Sequence, residues 1–392
     1  MISTDRKILE EGSAVRARVI EYAGLFEKMD IILFSKRNLQ FSTSNFQKGT
    51  GIKVSDHLFV YPTCSFSRLL YIFDAIRIGS SLIKNWKLEI GNSRNDLVVS
   101  CQDPFETGKV GAALKNKFGI PLQVQVHTDF LSPEFPRGSF LNWLRVKMAG
   151  YALRHADSIR VVSQRIKDSL LHELRIMNYE LRIDILPIFV DVEKIQTAPI
   201  SIDLHKKYPQ FDFIILMASR LTKEKDIPTA LAAFQKVLVR YPRAGFVIVG
   251  SGPELSPLQL IAKRYTLNAS VIFEGWHSDL ASYYKTCDLF LQTSRYEGYG
   301  MSLVEALAAG APAVSTDVGV APEVLSVGEK SFVCPVSDAV CLAEKICEVV
   351  EHPDLRAAVA AAARSRLSSV TSQSKAEYLE QYKKSLEVCR AV

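Results

Sequence analysis

Long apolar runs are missing from this chain of 392 residues. The longest, such as Phe213–Ala218 and Ala357–Ala363, fall far short of the ~20 residues needed to cross hydrocarbon. The opening Met1-Ile2-Ser3-Thr4-Asp5-Arg6 lacks the apolar core of a signal peptide, so a cytoplasmic protein is expected. Patterned cysteine is missing too. The seven cysteines are scattered and never form a C-x-x-C pair, which argues against both a disulfide framework and a zinc site. They read as small buried apolar residues of a reducing compartment. Charge of one sign is not in large excess either. A net charge of +6 suits anionic substrates, an anionic membrane surface or a merely basic exterior, and no nucleic-acid partner is expected.

What is there is apolar surface to bury: 48% hydrophobic against 23% charged residues, with a mean hydropathy of +0.08. A chain of this length exceeds one ordinary core and divides into domains. From Asp212 onward, short β-branched runs alternate with helical ones, as in Phe213–Ala218, Ile227–Tyr241, Phe246–Val249, Glu254–Tyr265, Leu289–Gln292 and Ser302–Ala309. Buried strands alternating with helices indicate a parallel sheet covered on both faces, an α/β doubly wound fold. The first half repeats the rhythm with strands at Ile31–Phe34, Leu58–Tyr61, Leu97–Cys101, Leu122–His127 and Ile159–Val162. Two such domains are expected, over residues 1–190 and 200–370, joined near Pro187–Pro199. Ligands of this architecture bind beyond the carboxyl ends of the strands, here in the cleft between two facing domains.

The densest chemical information lies at Ser294-Arg-Tyr-Glu-Gly-Tyr-Gly-Met-Ser-Leu-Val-Glu-Ala-Leu-Ala-Ala-Gly310. A strand ending at Gln292 leads through Gly298 and Gly300 into a helix beginning near Ser302. Glycine lets backbone approach a ligand, and the free N–H groups of a helix N-terminus form an anion site, so a phosphate fits there. Glu305 stands among Leu303, Val304, Ala306 and Leu307 on a helix apolar nearly all round. Its carboxylate needs donors, from a protein cation or from ligand hydroxyls. Upstream, Ala218-Ser-Arg-Leu-Thr-Lys-Glu-Lys-Asp226 follows one strand and precedes a helix, which puts Arg220 and Lys225 at the crevice edge. Two cations there can neutralise a diphosphate. Val249-Gly-Ser-Gly-Pro-Glu254 closes another strand, and since a lone G-x-G is weak evidence for a ligand, a plain tight turn is the preferred reading of these residues. His277, in Glu274-Gly-Trp-His277, reads as a polar surface histidine.

Glu297 and Glu305, separated by seven residues around Gly-Tyr-Gly, resemble the signature of retaining glycosyltransferases of family 4, which have the GT-B architecture of two Rossmann-like doubly wound domains facing across a cleft. The resemblance covers nearly the whole chain and is strongest over residues 215–325. It implies that Glu297 lies against the donor sugar and that Glu305 accepts hydrogen bonds from ribose hydroxyls. Gly298, Tyr299, Gly300, Met301, Ser302 and Leu303 then border the donor phosphates. The Arg220 and Lys225 segment is similar to the family's Gly-Arg-Leu…Lys-Gly loop, which holds the pyrophosphate, with Ser219 and Asp226 replacing its glycines. Gly250 is implied to lie beside the nucleotide and Gly12 to be the glycine of the acceptor loop. His127, at the end of Gln123-Val-Gln-Val-His127, is implied to approach the donor sugar.

The closing segment Ser374–Arg390 resembles the helix that returns to the first domain in this architecture. The implied activity is transfer of a sugar from a UDP- or GDP-sugar to a glycan, lipid-linked or small-molecule hydroxyl. With no D-x-D motif in the cleft-edge loops, no metal or other cofactor is expected. A sugar-nucleotide epimerase or hydrolase and a non-catalytic sugar-nucleotide sensor stay open as alternatives. Phe135–Arg154 mixes Phe140, Leu141, Trp143, Leu144 and Met148 with Arg137, Arg145 and Lys147. It suits contact with the inner face of a membrane, but core packing with a solvated basic edge is the preferred reading.

Overall fold

The structure, a computed structural model, describes residues 1–37, 51–90, 97–173, 182–327, 330–371 and 374–390. The chain divides into two compact units. One comprises Met1–His127, Ser139–Leu186 and Ala376–Val392, the other Thr128–Gly138 and Pro187–Lys375. Among the described residues no helix is long and apolar enough to cross a membrane.

Among its described residues the first unit holds eight strands: β1 Ile2–Ser3, β2 Met29–Leu33, β3 Ile52–Lys53, β4 Leu58–Pro62, β5 Val99–Cys101, β6 Leu122–Val126, β7 Ser158–Val161 and β8 Arg182–Ile185. Their order is β3-β4-β2-β1-β5-β6-β7-β8, and only the edge strand β3 runs antiparallel to its neighbour. The two-residue β1 sits centrally and pairs with both β2 and β5. Every residue of β6 is buried although two are glutamines. The C-terminal helix Lys375–Glu387 is held by aromatic contacts: Tyr22 stacks on Tyr382 at 4.3 Å between centroids, and buried Arg160 donates to the Tyr378 hydroxyl at 2.9 Å.

The second unit holds β9 Phe213–Ala218, β10 Ala244–Val249, β11 Val271–Gly275, β12 Leu289–Gln292, β13 Ala313–Thr316, β14 Ser326–Val327, β15 Lys330–Ser331 and β16 Val333–Cys334. The six-stranded sheet has the order β11-β10-β9-β12-β13-β16 and is parallel throughout, while β14 and β15 form a separate antiparallel pair. In β9, β10 and β12 every residue is buried, as strands covered on both faces require. The chain winds outward from β9 through β10 to β11, then returns to β12 beside β9. The order therefore reverses between β9 and β12, and the loops leaving these two strands face each other at the switch point where ligands bind in doubly wound sheets.

Two expectations are corrected. Cys334 and Cys341 are joined by a disulfide, whereas Cys64, Cys101, Cys287, Cys347 and Cys389 are free. The short turn from β16 into the helix Ala339–Glu351 brings the two sulfurs together, a strand-to-helix proximity that cysteine spacing alone does not reveal. Secondly, the helix Phe140–Arg154 does not bury Phe140, Leu141, Trp143 or Leu144. Ala149, Gly150, Ala152 and Leu153 face inward, while Phe140 is 78% and Trp143 48% exposed, with Leu141, Leu144 and Tyr151 also exposed. The cause is close packing through small residues. A Cβ at Gly108 would come within 2.9 Å of the Ala152 Cβ, so the helices Glu106–Phe118 and Phe140–Arg154 meet on that side.

Candidate active site

The loop leaving β9 carries Arg220 and Lys225. Arg220 is 75% exposed and meets Glu224 at 3.2 Å. Lys225 turns inward and forms an ion pair with Glu297, from the loop leaving β12, and the two side chains are only 15% and 16% exposed. The Ser294 hydroxyl donates to the same Glu297 oxygen at 2.7 Å. An ammonium and a carboxylate are thus held together at the switch point, where a ligand carrying both anionic and hydroxyl groups could be shared between them.

Asp226 explains how the loop keeps its course without glycine. Its backbone adopts φ 46°, ψ 43°, the left-handed region in which aspartate is tolerated better than most residues. Its carboxylate is buried and fully occupied. It accepts from Thr229 at 2.9 Å, Ser337 at 2.7 Å and Arg295 at 3.2 Å. Thr293 donates to the Lys225 carbonyl at 2.9 Å and the Arg295 amide to the Glu224 carbonyl at 2.8 Å, fastening the two loops to each other. The sequence reading missed Arg295. The signal was an acidic residue standing where a glycine is usual, which calls for a nearby cation.

Beyond Glu297 the chain passes through Gly298 and Tyr299 to Gly300, whose φ of 98° starts the helix Met301–Ala309. The first helical hydrogen bond is Val304 N–H to the Gly300 carbonyl, which leaves the N–H groups of Met301, Ser302 and Leu303 outside the helical ladder. Leu303 is buried in the core, and Tyr299 is buried with its hydroxyl donating to the Val370 carbonyl. These two side chains therefore anchor the loop, leaving only their backbone for a ligand.

Glu305 forms no ion pair among the described residues. Its hydrogen bond comes from the Tyr284 hydroxyl at 3.1 Å. Burial raises the Glu305 pKa, and the Tyr284 hydrogen bond only partly opposes that rise. Of the two readings left open by the sequence, a cation partner is not the one found here. Tyr284 was not foreseen, since it lies 21 residues away on the helix Leu280–Thr286.

Gly250 and Gly252 serve close backbone packing. A Cβ would meet the Ser219 carbonyl oxygen at 1.8 Å from Gly250 and the Leu221 carbonyl oxygen at 2.2 Å from Gly252. The turn presses against the Arg220 loop and also accepts the Leu221 N–H at the Ser251 carbonyl, 2.9 Å away. His277 is not merely a surface residue. It meets Glu274 at 3.2 Å in a cluster that includes Lys207, Tyr208 and Tyr283.

Gly12 and His127 belong to the other unit. Gly12, at φ 77°, lies in an open turn after β1, just before the Ser13 cap of the helix Ala14–Ala23. His127 directly follows β6 and hydrogen-bonds Gln125 through Nε2 at 3.0 Å. Burial, and then the nearby Arg160 and Arg18, lower its pKa to about 3, so the ring is neutral at physiological pH.

Comparison with known proteins gives these arrangements a context. A family model described as Glycosyl transferases group 1 matches residues 203–366, and one described as Glycosyltransferase Family 4 matches residues 45–194. The chain is 27% identical over 207 residues to the N-acetyl-alpha-D-glucosaminyl L-malate synthase of Bacillus anthracis, which covers 52% of this chain and 53% of that protein. To the alpha-monoglucosyldiacylglycerol synthase of Streptococcus pneumoniae it is 26% identical over 241 residues, 58% of this chain and 53% of the relative. It thus spans about half the length of these curated relatives. Among solved structures, Anabaena HepE in complex with UDP and glucose superposes with a TM-score of 0.71 at 20% identity, covering 98% of both chains, which shows the GT-B fold.

Proposed function

The chain belongs to the glycosyl transferases group 1 family, and from that premise we propose that it moves a sugar from a nucleoside diphosphate donor to a hydroxyl acceptor, with retention and without a metal ion. The observation that carries this reading is the Lys225–Glu297 pair at the switch point, with Arg220 exposed beside it. Lys225 and Arg220 take the diphosphate, and Glu297, released from Lys225, takes sugar hydroxyls. The free N–H groups at the start of the helix Met301–Ala309 add an anion site, and Glu305 accepts from the ribose. His127 contacts the donor sugar.

As the glycosidic bond breaks, its electron pair goes to the diphosphate oxygen, which receives the proton of the acceptor hydroxyl on the same face. The acceptor oxygen then bonds to the anomeric carbon. Fixed cations aimed at this oxygen stabilise charge that grows only in the transition state. The UDP named with HepE makes UDP-sugars the first donors to test, with GDP-sugars as the other arm. Proton NMR of the glycoside formed in the presence of EDTA tests the proposal. An inverted anomeric centre, or no turnover until a divalent metal is added, would refute it.

A specific observation also favours an acceptor held at an anionic membrane. The helices Tyr71–Ile90, Glu106–Phe118 and Phe140–Arg154 connect parallel strands and so run antiparallel to them, which puts their N-termini at one edge of their unit. Exposed Phe66, Leu69 and Phe73 gather near one such end and Phe140, Leu141 and Leu144 at another, with Arg68 and Lys147 exposed among them. Apolar side chains bordered by cations suit a headgroup interface. Flotation with phosphatidylglycerol vesicles and not with phosphatidylcholine vesicles is expected, and its loss is expected in Phe140→Ser, Trp143→Ser. Equal recovery from both vesicle types would remove the membrane reading.

A further inference from the structure

The two glutamines of β6 are buried in a strand that otherwise reads as core, and so they need a complete set of partners. They have one, and it runs in a single direction. The side-chain amide of Gln123 donates to the Ser385 carbonyl on the C-terminal helix at 2.8 Å. Its oxygen accepts from the Ser100 hydroxyl at 3.3 Å, and the Ser100 oxygen accepts from the Gln125 amide at 3.0 Å. The Gln125 oxygen is left facing both Arg160, whose Nη1 donates at 3.3 Å, and His127 Nε2 at 3.0 Å. The Tyr382 hydroxyl also meets Gln125.

The polarity of this chain is not a matter of choice. A backbone carbonyl only accepts, so Gln123 must present its nitrogen to Ser385 and its oxygen to Ser100. Ser100 must then donate to Gln123 and accept from Gln125. A guanidinium only donates, so Arg160 independently requires the Gln125 oxygen to face it. The two ends, both of fixed polarity, agree. An amide oxygen has no proton to give, so the nitrogen of His127 beside it must carry one.

We infer that Gln125, held by Arg160 and by the Ser100–Gln123–Ser385 chain, locks His127 in its neutral Nε2–H tautomer and leaves Nδ1 as an acceptor for a ligand hydroxyl. Among the described residues no group bonds Nδ1. A bare ring nitrogen takes a hydroxyl proton and repels a carboxylate or phosphate oxygen, so the ligand group it meets is a neutral sugar hydroxyl. Gln125 and Arg160 are positioning residues that act through His127. The ligand half of this inference rests on the reading of His127 as a sugar contact, whereas the tautomer does not.

Long-range proton–nitrogen correlation spectra of the full chain with nitrogen-15 histidine test the tautomer directly. The seven histidines make the spectrum tractable, and the signal lost in His127→Asn assigns the residue. One neutral species with protonated Nε2 and bare Nδ1 is expected from pH 8 to pH 5. A protonated Nδ1, a mixture of tautomers or an imidazolium in the wild type would overturn the lock. Gln125→Leu, if folded, should release a tautomer mixture, and a pure Nε2–H signal there would also overturn it. Gln125→Glu retains an acceptor for Arg160 and His127, so it should keep Nε2–H and bring the ring's proton uptake into the range scanned. An unchanged titration would count against direct contact. Separately, His127→Asn carries an amide oxygen near the place of Nδ1 and should retain more kcat/KM than His127→Ala. If both variants matched wild type while the tautomer stood, only the sugar-contact reading would fall.

Discussion

Replacing Glu305 by glutamine should loosen nucleotide binding and tighten the empty protein. The carboxylate is buried with one hydrogen bond, from Tyr284 at 3.1 Å, and burial raises its pKa. A raised folded-state pKa means that this group's contribution to stability is full below the unfolded carboxylate value and is lost as pH rises through the folded one. Above the unfolded carboxylate value the ligand-free protein therefore bears a cost for burying this carboxyl, and Glu305→Gln removes it. The variant should melt above the wild type at pH 7.5, and the gap should close as pH falls below the ordinary carboxylate range. Binding should change the opposite way. Charge-assisted hydrogen bonds to ribose hydroxyls are worth about 1.5–3 kcal/mol, and 1.4 kcal/mol is tenfold, so nucleoside diphosphate affinity should fall by roughly one to two powers of ten. Titration calorimetry and thermal melts on one preparation read both effects. A folded variant that binds as tightly as wild type, or that melts lower throughout, would refute the reasoning.

Three further outcomes follow from the loop contacts. Glu297→Gln removes the charge that neutralises Lys225, so diphosphate binding should strengthen or hold while turnover drops, and a loss of affinity larger than the loss of kcat would contradict the shared-ligand geometry. Asp226→Asn keeps a side chain tolerant of φ 46° with partners for Thr229 and Ser337, whereas Asp226→Ala loses both. In urea melts the alanine variant should lie about 1–3 kcal/mol below wild type, since Arg295 is 44% exposed and can turn to water, with asparagine between them; equal losses would mean the carboxylate contacts do not hold the loop. EDTA should leave turnover intact, and a loss restored by Mg²⁺ or Mn²⁺ would mean that Arg220 and Lys225 do not suffice for the leaving group.

The alternation of strands and helices was legible because buried parallel strands must be apolar along their whole length, so Phe213–Ala218 and Leu289–Gln292 were placed to the residue. A two-residue strand such as β3 is too short to leave a periodic trace, and its existence depends on its neighbour in the sheet. Lys225 and Glu297 could each be picked out by residue type and loop position, but their ion pair spans 72 residues and requires the β9–β12 adjacency. Pairings of the same kind, Asp226 with Arg295 and Tyr284 with Glu305, stayed hidden for that reason. The outward aromatic face of Phe140–Arg154 was misjudged because an apolar stripe does not say which side packs. The small residues opposite it, Ala149, Gly150 and Ala152, held that information.

The central claim is that the loops leaving β9 and β12 hold a nucleoside diphosphate by its terminal phosphate. The most direct measurement compares UDP with UMP, and GDP with GMP, by titration calorimetry on wild type and on the double variant Arg220→Ala, Lys225→Ala. For at least one base the diphosphate should bind wild type more tightly by tenfold or more, and that preference should vanish in the folded double variant. Equal binding of mono- and diphosphate by wild type, or an undiminished preference in the variant, would contradict the account.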